Sequence, residues 1–196
     1  MKKSKKYESL YRKNRNTGRV IIDIALEDYL EFFNEWDNSA FKKRDIHSGL
    51  LQFLDLCSED IPLRKKLEIV FSLNTAEIIK EKEEQIRISY RNYFNSIQRL
   101  EKRKTSRLIR SSLVLLFIAL ALLTIYGFMS RYTPSNILTK VLLESLLIGG
   151  WVFAWEAVHL LFIDIIEPLH RRRELDRFLD AEINFQYLSL ISYPKI

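Results

Sequence analysis

Two apolar runs separated by a short polar hairpin constrain this chain more than any other feature. The first is SSLVLLFIALALLTIYGFM, Ser111 to Met129, and the second is VLLESLLIGGWVFAWEAVHLLFI, Val141 to Ile163. At about 1.5 Å per residue, each run is long enough as a helix to cross a hydrocarbon core of roughly 30 Å. The pattern reads as transmembrane helix 1 over 111–129, an external hairpin over 130–140 and transmembrane helix 2 over 141–165. Bulk composition conceals this. A mean hydropathy of −0.10 averages an apolar hairpin with a highly charged remainder.

Charge then orients the hairpin. Arg99, Lys102, Arg103, Lys104, Arg107 and Arg110 precede the first run, and Arg171, Arg172, Arg173 and Arg177 follow the second. The connection offers only Arg131 and Lys140. Basic residues favour the cytosolic side, so both termini are expected in the cytosol and the protein in the inner (cytoplasmic) membrane. The opening MKKSKKYESLYRKNRNTGR is basic with no apolar stretch behind it, so the first span is expected to act as an internal signal anchor. One cysteine, Cys57, excludes an internal disulfide and suits a reducing compartment.

The remainder reads as a small α+β domain with about three strands and a long helix. Residues 1–17 are expected as a basic flexible tail, and 18–110 as a cytosolic α+β domain with the long helix. VIIDIAL, Val20 to Leu26, is β-branched and reads as a strand. DYLEFFNEWD, Asp28 to Asp37, reads as a short helix or packed turn. Asp45 can cap a helix over Ile46 to Cys57 that Pro62 ends. LEIVFSL, Leu67 to Leu73, alternates with period two, as a strand does. Asn74 with Glu77 has the spacing of a capping box for the long helix. Along that helix Ile79, Ile86, Tyr90, Tyr93, Ile97 and Leu100 form a heptad-like stripe. The stripe suits packing on the domain's own sheet, or a coiled-coil stalk between subunits.

After the second run, Pro168 opens a further amphipathic helix. INFQYLSL, Ile183 to Leu190, alternates again and needs strands to pair with. The economical solution returns it to the first two strands. Residues 166–196 then complete the domain, and the membrane hairpin is an insertion into it.

The stretches FKKRDIHSGLLQFLDLCSEDIPLRKKLEIVF and GGWVFAWEAVHLLFID resemble an uncharacterised group of prokaryotic two-span membrane proteins with a small cytosolic domain. The resemblance implies the topology and no activity.

Glu156 and His159 are the residues in the apolar runs best suited to carry chemistry. A carboxylate in hydrocarbon costs several kcal/mol, so it should face protein or a water-filled cavity. At spacing i, i+3 the two share a helix face. Three roles are open: a neutral Glu156 bonded to His159, Thr124 or Ser112; a proton or ion path in an oligomer; or a metal site assembled from several copies. Glu144 can pair with Lys140 near the outer interface. Gly149, Gly150 and Thr124 suit close helix packing.

His47 is expected to be solvent-exposed. No phosphate loop, zinc spacing or nucleophile elbow is present, so no catalytic residue, cofactor or metal is assigned. With a pI near 9.3, Lys2, Lys3, Lys5, Lys6, Arg171, Arg172 and Arg173 suit anionic lipid on the cytosolic side. Nucleic acid is the less economical partner.

The function these features support is a non-enzymatic membrane protein. Its cytosolic domain senses or binds an unknown cytosolic protein, and the chain forms a homo-oligomer. The competing function is an oligomeric pore, proton or ion conductor, or membrane-disrupting effector built on Glu156 and His159.

Overall fold

A single apolar face, three strands wide, organises the chain. The structure is a computed structural model and describes residues 3–34, 45–75, 77–132 and 136–187, the side chains of 3–6 excepted. Strands β1 (Val20–Leu26), β2 (Leu67–Leu73) and β3 (Glu182–Tyr187) form one sheet in the order β1-β2-β3, with both pairings parallel. The register places Ile22, Ile69 and Ile183 side by side, then Ile24, Phe71 and Phe185, then Leu26, Leu73 and Tyr187. Alternate residues share a face, so these rows form the floor of the core. The strand expected over Ile183 to Leu190 is β3, described as far as Tyr187.

Parallel neighbours need crossovers. The first is made by a 3-10 turn (Tyr29–Phe32) and helix α2 (Ser48–Asp60). The second carries the apolar segments: α3 (Lys80–Tyr132), α4 (Ile137–His159), a π-helical turn (Leu160–Asp164) and α5 (Ile166–Leu179). The architecture is therefore mixed helix and sheet, with a three-stranded parallel sheet and two long apolar helices. The chain divides into two compact units, one of Met1–Arg99 with Arg173–Ile196 and one of Leu100–Arg172.

In the sheet unit, Leu50, Leu54 and Cys57 of α2, Ile86, Tyr90 and Phe94 of α3, and Leu175 and Phe178 of α5 share one buried cluster with the floor strands. Phe94 stacks on Phe178 at a centroid distance of 4.9 Å, and the Tyr90 hydroxyl donates to the Phe178 carbonyl at 3.1 Å. The stripe on α3 thus packs in its own domain's core. Phe94 belongs to it, and Leu100 is half exposed.

Arg177 ties α5 to the end of α2. Its Nη1 donates to Ile61 O at 2.9 Å and Pro62 O at 3.2 Å, and its Nη2 to Ser58 O at 2.9 Å and to Ser58 Oγ. A cation there satisfies carbonyls that a helix end leaves without partners. Burial pushes the Arg177 guanidinium below its ordinary pKa.

On the opposite face of the sheet, buried Glu68 accepts from Asn14 at 2.7 Å and from Asn184 at 2.9 Å. It bridges the N-terminal segment to β3.

Several expectations are corrected. The helix expected from Ile46 begins at Ser48, and its cap is His47 rather than Asp45: His47 Nδ1 accepts from the Gly49 N–H at 3.1 Å. His47 is accordingly half-buried. The long helix starts at Lys80, not after Asn74. The Asn74 N–H donates to Leu26 O, Thr75 Oγ1 takes the Glu77 N–H and Tyr29 Oη takes the Ile79 N–H. These local bonds compete with helix formation.

Residues 1–17 are not a free tail where described. Helix α1 (Lys3–Leu10) buries Tyr7 in the core, and Lys13 bridges to Val20. Of the acidic aromatic segment, residues 35–37 lie outside the described residues. Between α3 and α4 the connection is shorter than the expected 130–140, since α3 extends to Tyr132 and α4 begins at Ile137.

Candidate functional site

The apolar hairpin is held by small residues. Ser112 Oγ donates to Ala157 O at 2.8 Å, and Ser112, Ala119, Gly150 and Ala157 are all buried. A Cβ on Gly150 would meet Leu123 Cγ and Cδ2 at 2.8 Å and Ala119 O at 3.5 Å. These contacts share one antiparallel register, in which seven residues forward on α3 correspond to seven back on α4. Gly149 is looser, its nearest neighbour Leu122 Cδ1 lying at 3.7 Å. Thr124 does not cross between the helices, because its hydroxyl returns to Leu120 O of its own helix at 2.6 Å.

The remaining hairpin surface is uncovered. Two helical stretches, Lys80–Tyr132 and Ile137–Leu179, are long and apolar enough to cross a membrane. Only 11 % of each one's most apolar window is buried. The core helix of a soluble protein would bury most of such a window, and apolar patches this large are rare on soluble monomers.

Glu156 departs from expectation. It is exposed, points away from the α3–α4 seam, and bonds to neither His159, Thr124 nor Ser112 among the described residues. His159 instead has Asp164 beside it, Nδ1 to Oδ2 3.7 Å. Asp164 was not anticipated. It lies in the π-helical turn, whose extra residue re-aims side chains in a way that spacing alone does not reveal.

The register also sets the pair's depth. Glu156 is roughly level with Leu113 and His159 with Arg110, so the pair lies at the charged end of the apolar slab, not near its centre. Glu144 and Lys140 are both exposed and unpaired among the described residues.

Of the residues assigned to lipid, Lys2 lies outside the described residues. Lys3, Lys5 and Lys6 are on α1, their side chains outside the described residues. Arg171 and Arg172 are half-buried, and Arg173 is exposed.

The sheet unit contributes a second candidate, which sequence reasoning missed. A cleft of about 480 Å³ opens beside the carboxyl half of β1, lined among others by Asp23, Glu31, Phe33, His47, Leu50 and Phe53. Open parallel sheets commonly bind ligands outside the carboxyl ends of their strands. β1 is also an edge strand. Its even-numbered N–H groups face β2, as Val20 N does in bonding Lys66 O, while Ile21 N turns outward to Arg12 O. By alternation Asp23 and Ala25 also present their N–H groups outward. Neither has a backbone partner on that side among the described residues.

Nothing in VIIDIAL signals a cleft. Its one visible oddity is Asp23, which Arg12 pairs through Nε at 3.0 Å. Comparison with protein-family models, curated proteins and solved structures finds none that matches this chain.

Proposed function

We propose that the protein is a two-span protein of the cytoplasmic membrane with both termini cytosolic, and that its sheet domain is a non-enzymatic module binding a cytosolic protein partner. The observation that carries the topology is the pairing of β2 with β3. The apolar hairpin lies between these strands in sequence, yet they are neighbours in one sheet. Both flanks of the hairpin therefore lie on one side, and the chain between them crosses an even number of times. The arginines before α3's apolar stretch and after α4's favour the cytosol for that side. Trp155, level with Val114 near that end, suits an interfacial position.

Cysteine labelling with an impermeant reagent tests the topology. Ser135→Cys should react in intact cells and Ser4→Cys should not. The reverse pattern would overturn it.

The cleft beside β1 supports the partner-binding role. Outward N–H groups at Asp23 and Ala25 offer strand pairing to an extended segment, and Phe33, Leu50 and Phe53 offer apolar seats for alternate side chains. Glu31 at the rim favours a segment carrying Lys or Arg, Asp23 being already paired with Arg12. A photo-crosslinking residue in place of Phe53 should trap that partner in cells. Ala25→Pro deletes one edge N–H and should abolish the trapping. Undiminished trapping refutes strand addition.

The conductor reading has one observation in its favour. Glu156 faces outward from the hairpin, where in hydrocarbon a second copy would cover it, which suits a homo-oligomer. Its position near Arg110 weighs against a relay across the slab, since the pair spans too little of it.

A further inference from the structure

We propose that the groove between the α2–β2 loop and α5 is an anion site that takes a phosphate-bearing group. The groove measures about 390 Å³ and belongs wholly to the sheet unit. Arg64, Lys65 and Lys66 line one side, and Arg173 and Arg177 the other, with Asp176 and Asp180 between. The two carboxylates are already engaged. Asp176 accepts from Gln98 Nε2, and Asp180 Oδ2 lies 3.7 Å from Lys66 Nζ and 3.8 Å from Arg19 Nη1. The side chains of Arg64, Lys65 and Arg173 make no ion pair or hydrogen bond among the described residues. The cations therefore outnumber the acids, and three are uncommitted.

Arg177 supplies a second and independent observation. It is only 7 % exposed, and its two terminal nitrogens are committed to Ser58, Ile61 and Pro62. Its Nε is the one buried side-chain nitrogen or oxygen without a hydrogen-bond partner among the described residues. A buried donor without a partner is costly, and native structures usually satisfy it. The groove thus combines a fixed guanidinium with three cations whose side chains have no partner among the described residues. Phosphate suits that set: it carries more than one charge and presents several acceptor oxygens to Arg and Lys donors. The group can come from a lipid headgroup or from a soluble phosphate ester. The site does not depend on whether the hairpin is inserted in a membrane.

Calorimetric titration of the full chain in neutral detergent micelles with inorganic pyrophosphate tests the proposal. One saturable site is expected, weakened at least tenfold in Arg64→Gln/Lys65→Gln. Arg173→Gln, a single change at an exposed position, serves as a second variant should the double one melt early. Arg91→Gln/Arg99→Gln removes equal charge from α3 and should change affinity less than twofold. Absence of saturable binding, or equal weakening by the α3 variant, overturns the site.

Acetylation of Lys65 by a neutral reagent, with Lys80 as internal reference, separates the sources. Protection by phosphatidylglycerol in mixed micelles without pyrophosphate supports a headgroup, and protection by pyrophosphate alone supports a soluble ligand. Protection by neither overturns the proposal.

Discussion

Substituting Gly150 with alanine measures how tightly the hairpin is closed. The added Cβ would lie 2.8 Å from both Cγ and Cδ2 of Leu123. Carbon atoms prefer roughly 3.5–4.0 Å, so the contact must open by about 1 Å. Cγ is the branch point of Leu123, so turning its methyl groups brings no relief. Either χ1 changes or the helices part. Overpacking of this kind costs about 1–3 kcal/mol, while alanine in place of glycine within a helix regains about 0.5–1 kcal/mol.

Gly149→Ala supplies the reference. Its Cβ meets nothing closer than Leu122 Cδ1 at 3.7 Å, an ordinary contact. The propensity gain is common to both variants, so their difference isolates the steric term, about 1–3 kcal/mol. Reversible unfolding of both variants in mixed micelles reads this difference directly. A gap of 1.4 kcal/mol is about tenfold in the unfolding equilibrium. If the two alanines shift stability equally, the register pairing Ala119 with Gly150 and Ser112 with Ala157 is wrong, and so is the depth assigned to Glu156.

Two further outcomes follow from the sheet unit. Arg177→Met removes the donors to Ser58, Ile61 and Pro62 carbonyls and should cost more than about 3 kcal/mol in urea unfolding, since bonds from a charged donor contribute about 1.5–3 kcal/mol each; a loss below about 1 kcal/mol would refute the capping role. Burial holds the Cys57 thiol and the Tyr11, Tyr90 and Tyr187 hydroxyls above their ordinary values of 9.0 and 10.0, with the Glu83 carboxylate adding to the effect at Tyr187. The unfolded chain therefore releases these protons first, so stability is fully present below about pH 9 and is lost as pH rises further. Tm should fall as pH rises from 9 to about 11, and Tyr187→Phe should flatten the fall; a slope unchanged by that variant refutes the contribution of Tyr187.

The regular periods were legible and the local competitions were not. Period-two alternation marks β2 and β3, and β-branching marks β1, because side chains that share a face must share a character. The same logic put Ile86 and Tyr90 of α3 on the core. Helix starts were misplaced where side chains bid for backbone groups: Thr75 and Tyr29 take N–H groups that a helix from Asn74 would use, and His47 does the work expected of Asp45. The depth of Glu156 needed the register between two helices, which neither sequence carries alone. The basic groove joins residues 64–66 to 173–180, and no spacing rule connects positions so far apart.

Because β3 belongs beside β2, the sheet closes over an interval of about 110 residues. Entropy penalises such long closures only slowly with length, but synthesis imposes an order. While the ribosome is still producing the apolar segment, β2 has β1 on one side and an open edge on the other, and such edges invite wrong pairings. The residue that ties α5 to α2, Arg177, emerges just ahead of the strand that seals the edge. Maturation of the domain is thereby tied to the fate of the hairpin. On the proposed two-span topology, a chain that mislocated one helix would leave its last strand on the wrong side and a two-stranded sheet with an open edge.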